Sequence, residues 1–105
     1  MAVTAITDAD FEKDTATGVA ITDFWATWCG PCKMQSPVLD ALSEEDGVKN
    51  VNFYKMDVDQ NQQTPADFGI RAIPTLVVTK DGQAVERLVG FHNKEQLADI
   101  LKKYA

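Results

Sequence analysis

Residues Val19-Ala-Ile-Thr-Asp-Phe-Trp-Ala26 are an almost unbroken run of apolar and β-branched side chains. A strand with one wet face alternates apolar and polar positions. This run is apolar at both parities, so it must be covered on both sides. It predicts a central strand lying between two layers of helix, and the rest of the chain supplies such layers. Val3 to Ile6 is a short β-prone segment. Thr7-x-x-Asp10 reads as a capping-box start for a helix that runs to about Ala16 and closes at Gly18. After Cys32, the residues Met34, Val38, Leu39 and Leu42 recur at helical spacing, and Pro37 within that stretch predicts a kink. Val51 to Asp57 is another strand, and a short helix over about Thr64 to Phe68 ends at Gly69. Thr75 to Thr79 and Ala84 to Val89 read as a hairpin around Asp81-Gly82. Asn93-Lys-Glu-Gln96 caps a last helix with Leu97, Ile100 and Leu101 on one face. The order βαβαβαββα gives an α/β fold. Its mixed sheet is parallel where helices intervene and antiparallel at the hairpin, with helices on both faces.

A chain of 105 residues, 45% hydrophobic and 25% charged, fits one domain over residues 1–105 that builds its core without staples. The formal net charge of -6 argues against nucleic acid and against anionic membrane surfaces, which repel an acidic protein. No apolar run approaches the roughly 20 residues that span a bilayer. The first residues carry neither a basic segment nor an apolar stretch of secretory length. The expected location is cytoplasmic and the expected state a monomer.

The chain has 2 cysteines, Cys29 and Cys32, placed where the buried strand gives way to a helix. In a reducing compartment such a pair is more often catalytic or metal-binding than structural. A bridge across so short a loop would also remove little entropy from the unfolded chain. Two Cα atoms one helical turn apart lie within disulfide reach. Cys29 falls at the helix N-cap, where unpaired backbone N–H groups and the helix dipole favour the nucleophilic thiolate. Pro31 suits the first turn because its missing N–H would have no partner there, and Gly30 leaves the approach to sulfur clear. Cys29 is therefore expected to be the exposed attacker and Cys32 the more buried resolving thiol. Attack by Cys29 on a disulfide forms a mixed disulfide; Cys32 then displaces the partner and leaves a Cys29–Cys32 disulfide. Two plainer readings stand beside this one. The first takes the pair as small half-buried side chains. The second takes them as zinc ligands, for which only His92 and carboxylates remain and the spacing is unlike common zinc motifs.

Asp23 is the odd member of the buried strand, and burial of a carboxylate raises its pKa. Lying six residues before Cys29 on the same path, it is placed to exchange a proton with Cys32, either directly or through a water. Lys55, on the adjoining strand, would draw its pKa part of the way back. The plainer alternative is a strand-end carboxylate in solvent. Ile73-Pro74-Thr75 reads, from its residues alone, as a trans proline punctuating a loop, since only about 5% of X–Pro bonds are cis.

The string Asp23-Phe-Trp-Ala-Thr-Trp-Cys-Gly-Pro-Cys-Lys33, with Pro37, Lys55, Ile73-Pro74-Thr75 and Gly90, resembles the thioredoxin family over essentially the whole chain. That family is itself a standard illustration of C-x-x-C thiol chemistry, and its properties extend to this chain only as implications of the resemblance. The resemblance implies a thioredoxin fold, a central five-stranded mixed β-sheet flanked by four α-helices. It implies Cys29 as nucleophile, Cys32 as resolving thiol, and Asp23, with Lys55 nearby, assisting deprotonation of Cys32. Pro74 would be cis and face the cysteines, and the Ile73 backbone would pair with an extended substrate segment. Trp28, Gly30, Pro31, Ile73 and Gly90 would form a flat apolar contact surface. The protein would hold no metal and no cofactor beyond its redox disulfide. Electrons would come from a flavin-containing thioredoxin reductase using NADPH and pass to protein disulfides such as those of ribonucleotide reductase or peroxiredoxin-like enzymes. Gly-Pro between the cysteines is typical of the reducing members. Departures from the family pattern fall at Thr22, Gln35-Ser36, Ala72 and Thr79. Gln35 and Ala72 are expected to border the contact surface, and Thr22 to add a hydrogen bond beside the Asp23 carboxylate. A different class of function, a module that grips a partner without turnover, uses the same surface.

Overall fold

A computed structural model describes residues 3–105 of the chain. The buried run is strand β2 (Val19–Trp25), and every residue of it except Trp25 is buried. Around it stand β1 (Val3–Ala5), α1 (Asp8–Asp14), α2 (Gly30–Ser43), β3 (Val51–Asp57), α3 (Gln63–Asp67), β4 (Thr75–Lys80), β5 (Gln83–Val89) and α4 (Lys94–Lys102), with a 3-10 turn at Asp46–Val48. The five strands lie in the order β1-β3-β2-β4-β5, so the most apolar strand takes the middle. β1, β3 and β2 are parallel, whereas β4 runs antiparallel to β2 and β5 antiparallel to β4. This is the mixed five-stranded sheet with four helices that the resemblance implies.

Alternation along β2 divides the core in two. Val19 and Ile21 pack with Leu39 and Leu42 of α2 and with Leu97 and Leu101 of α4. Phe24 on the opposite face packs with Met56, Val77 and Phe11 of α1. Phe68, just beyond α3, meets Phe11 edge-on with ring centroids 5.6 Å apart. Parity also settles two expectations at once. Asp23 shares the face of Ile21 and so lies beneath α2, while its neighbour Thr22 points to the other face. Thr22 is therefore not beside the carboxylate, and its hydroxyl is buried without a hydrogen-bond partner.

Most helix ends agree with the sequence signals. Asn93 and Gln96 form the complete reciprocal capping box at α4. Asp81 and Gly82 both take positive φ, 50° and 84°, as a two-residue hairpin turn requires. The start of α1 differs. Thr7 makes no side-chain bond to the backbone; its hydroxyl instead donates to the Asp10 carboxylate at 3.3 Å. α1 also ends at Asp14 rather than Ala16, where the Thr15 hydroxyl turns back to donate to the Phe11 carbonyl at 2.8 Å. Met34, expected on the buried stripe of α2, is 62% exposed, and Gln35 is buried in its place.

The capping capacity of α1 is spent on a different helix. The Asp8 carboxylate accepts from the backbone N–H of Gln63 (3.1 Å) and Thr64 (2.8 Å) at the start of α3. Its slight burial raises its pKa, but these hydrogen bonds outweigh that and hold the carboxyl below its usual range. Asp8→Ala is expected to lower stability by about 1 kcal/mol in urea denaturation at pH 7, as loss of a cap does. A lowered carboxyl contributes stability above its unfolded pKa and loses it as pH falls through the folded value. The gap between parent and variant should accordingly close in acid.

Candidate active site

β2 delivers the chain to the site at a fixed point, because both its faces are covered. It leaves the sheet at Trp25, and a tight turn returns the Cys29 N–H to the Ala26 carbonyl at 3.2 Å. Cys29 is then the N-cap of α2, with extended backbone (φ −89°, ψ 113°), and its sulfur accepts from the Cys32 N–H at 3.2 Å. Pro31 sits in the first turn, where no N–H is needed. The two sulfurs are joined as a disulfide across a Cα–Cα distance of 5.3 Å. A side chain at Gly30 would meet no atom within 4 Å, and its φ is ordinary. Neither backbone nor packing demands glycine there.

The expected contrast in exposure is not seen. Cys29 is 4% exposed and Cys32 3%, because both pack with Ala26 against Trp25, Val58 and Ile73. Their surroundings differ instead. The Cys29 sulfur lies 3.7 Å from the Ile73 carbonyl oxygen. Cys32 lines a cavity of about 370 Å³ that also reaches Asp23, Lys33, Ser36, Asp40 and Lys55.

Asp23 is buried in the floor of that cavity, at 3% exposure, and its Oδ1 has no hydrogen-bond partner. Loss of solvation pushes its pKa up to about 7, against the pull of the Lys55 charge. Lys55 is its register partner on β3, and its ammonium stands 5.9 Å from the Trp25 ring centroid. The strand-end alternative for Asp23 is thus excluded, and Asp23, Lys55 and Cys32 are brought to one cavity.

The Ile73–Pro74 bond is cis, not the trans bond that base frequency favours. Pro74 is buried, and its carbonyl accepts from the Gly90 N–H at 2.8 Å, which ties the two loops together. Gly90 has φ 88°, a conformation that suits glycine. Trp28 is 68% exposed, and Gly30 and Pro31 are exposed beside it while Ile73 and Gly90 are partly so. Met34 and Phe91 are further exposed apolar side chains, although helical periodicity places Met34 inside and nothing local marks Phe91. Asp59, a loop residue with no local signal of a role, accepts from the Trp28 indole at 2.9 Å and fixes that ring. Ala72 is exposed beside Ile73 as expected, whereas Gln35 is fully buried and no part of the surface. The spacing of Cys32, Gln35, Leu39 and Leu42 carries the helical signal that places Gln35 inside. Among the described residues no group of three or more His, Cys, Asp or Glu side chains is arranged to hold a metal ion.

A dithiol pair that closes to a disulfide at a helix entrance, on this α/β sheet, defines a protein of thiol–disulfide exchange. Comparison with known proteins gives the family. The thioredoxin family model matches residues 2–103. A thioredoxin of Listeria monocytogenes is 51% identical over 102 residues, covering 97% of this chain and 98% of the relative. One from Staphylococcus aureus is 50% identical over 104 residues, covering 99% of each. The crystal structure of a Malassezia sympodialis thioredoxin superposes with TM-score 0.90 at 39% identity, over 99% of this chain and 94% of that one. A mutant thioredoxin from Halobacterium salinarum gives TM-score 0.88 at 34% identity, over 97% and 89%. The chain belongs to the thioredoxin family and is a thiol–disulfide oxidoreductase that reduces protein disulfides.

The raised carboxyl of Asp23 carries a cost to stability with a definite sign. Below about 3.8 the folded and unfolded forms are both protonated; the cost grows between 3.8 and about 7 and is constant above. A displacement of that size corresponds to on the order of 4 kcal/mol, of which the burial of an amide returns part. Asp23→Asn is expected to stabilise the protein by about 1–3 kcal/mol at pH 8 and by little at pH 3.5. Equal effects at both pH values in chemical denaturation would contradict a buried, proton-retaining carboxyl.

Proposed function

We propose that Cys29 attacks the disulfide of a protein partner and that Cys32 then resolves the mixed disulfide, with Asp23 taking the proton from Cys32. The observation that carries this reading is the N-cap position of Cys29, whose sulfur already accepts a backbone N–H from the first turn of α2. The same donor and the helix dipole favour the thiolate of Cys29 when the pair is reduced. Sulfur in the disulfide has no proton to give, so the 3.7 Å approach to the Ile73 carbonyl marks only where Cys29 faces. Cys32 faces the cavity that holds Asp23. A carboxyl with a pKa about 7 is matched to proton transfer at neutral pH, and Lys55 tempers it.

Trp28, Gly30, Pro31, Ile73, Pro74 and Gly90 frame the sulfur on the outer side, and the open space over Gly30 leaves room for a partner's chain. An extended segment pairing with the Ile73 backbone would deliver its disulfide there. Members of the family are reduced by thioredoxin reductase and act on disulfide substrates. In this reading the donor is the flavin-containing, NADPH-dependent reductase, and the acceptors include ribonucleotide reductase and peroxiredoxin-like enzymes. The chain works as one domain, residues 1–105, in monomeric form in the cytoplasm, with no cofactor of its own besides the redox disulfide and with no metal. No helix among the described residues is long and apolar enough to cross a membrane.

The test is turnover with NADPH, thioredoxin reductase and insulin. Cys29→Ser should abolish insulin reduction, whereas Cys32→Ser should accumulate a covalent mixed disulfide visible by mass spectrometry. Asp23→Asn should slow turnover at pH 7 by on the order of 100-fold. Full activity in Cys29→Ser would overturn the assignment of roles. A partner held as tightly by a variant with both cysteines replaced by Ser would instead identify a gripping module.

A further inference from the structure

Gln35 is an uncharged amide buried completely in the helix layer beside the redox pair, and neither the disulfide nor Asp23 uses it. Its side chain is paired at both ends with a single loop residue. The Gln35 Nε2 donates to the His92 carbonyl at 3.0 Å, and the Gln35 Oε1 accepts from the His92 N–H at 2.9 Å. The amide thereby imitates one rung of a β-ladder between α2 and the loop after β5. The loop continues the connection. His92 Nδ1 lies 2.9 Å from the Gly90 carbonyl oxygen, and the Gly90 N–H donates to the Pro74 carbonyl at 2.8 Å. The residue before Pro74, Ile73, presents its carbonyl to the Cys29 sulfur. Gln35 is also one helical turn after Cys32 on α2, so the rung joins the helix that carries the redox pair to both loops that flank it.

We propose that Gln35 is a positioning residue that sets the height of the Gly90–His92 loop, and through it the Ile73–Pro74 loop, against the redox disulfide. Its consequence is for capture of protein partners and not for the thiol chemistry itself. An apolar side chain at position 35 fills the same space but leaves the N–H and the carbonyl of His92 unpaired. Their recovery of solvent contacts requires the loop to lift away from α2. A lifted loop spoils the surface on which a macromolecular disulfide docks, whereas a small disulfide needs only the sulfur. The inference rests on the proposed contact surface around Cys29.

The experiment compares parent, Gln35→Leu and Gln35→Glu with two substrates, insulin and oxidised glutathione, each protein being reduced beforehand with dithiothreitol that is then removed, since a reductase would itself dock on this surface. Gln35→Leu is expected to raise KM for insulin by about tenfold, in line with loss of a buried hydrogen-bonded pair. Its second-order rate with oxidised glutathione should stay within about twofold of the parent, a change too small to register as lost transition-state stabilisation. Gln35→Glu keeps an acceptor for the His92 N–H but sets a second oxygen against the His92 carbonyl, so its KM for insulin should also rise above the parent's. Amide hydrogen exchange at Gly90 and His92 should quicken in both variants. An unchanged KM for insulin in both variants would overturn the proposal, as would equal slowing with both substrates, which is the mark of general loosening. If Gln35→Leu does not fold, the Gln35→Glu comparison decides alone by the same criteria. Failure of the underlying reading looks different: the parent itself would not reduce insulin.

Discussion

The Cys29 sulfur is at once half of the redox disulfide and a helix cap, and the rest of the site is arranged around that double use. A helix begins with backbone N–H groups that have no partner within it, and in α2 one of them is satisfied by sulfur. Ser, Thr, Asp or Asn would meet the structural need as well; cysteine meets it with an atom that forms and breaks bonds. The cap is held in place from behind. β2 is covered on both faces by separate clusters, so its end cannot drift, and the turn at Ala26 to Cys29 hangs from it. Precision at the surface thus comes from burial in the middle of the sheet.

The same strand introduces the main cost. Asp23 places a carboxyl in a buried position where its ionisation is opposed, and it keeps an oxygen without a partner. Its parity is what makes it useful: the face it shares with Ile21 is the face under α2, and Cys32 opens onto the same cavity. One residue earlier or later, the carboxylate would lie on the far side of the sheet. The fate of Thr22 shows this directly, since its hydroxyl sits next in sequence and reaches nothing at the site. Lys55 is set opposite Asp23 by the parallel register of β2 and β3, a relation that depends on strand pairing and not on proximity in sequence.

How much of the molecule was legible in the sequence depends on where each interaction is encoded. The central place of β2, the hairpin turn and the α4 cap rest on local signals, namely the run of residues 19–26, Asp81-Gly82 and Asn93-x-x-Gln96, and each appears as expected. The dithiol at a helix entrance is likewise local. What stayed hidden is decided across the fold. Asp8 lies in the first turn of α1 and serves the start of α3 instead. Gln35 and Met34 are adjacent, and hydrophobicity alone put the wrong one inside; a loop distant in sequence offers the amide two partners. The near-equal burial of the cysteines depends on Ile73 arriving from another such loop. The cis bond at Pro74 is invisible to local frequency and came only from resemblance to the thioredoxin family.

The central claim is that capping makes the Cys29 sulfur an anion more readily than an ordinary thiol. The most direct measurement is the rate of alkylation of Cys29 by iodoacetamide as a function of pH, in the reduced protein with Cys32 replaced by Ala. Capping should give an inflection clearly below the value of about 8.5 for a free cysteine, and that displacement should be lost on unfolding in urea. An inflection at the ordinary value in the folded protein would contradict it.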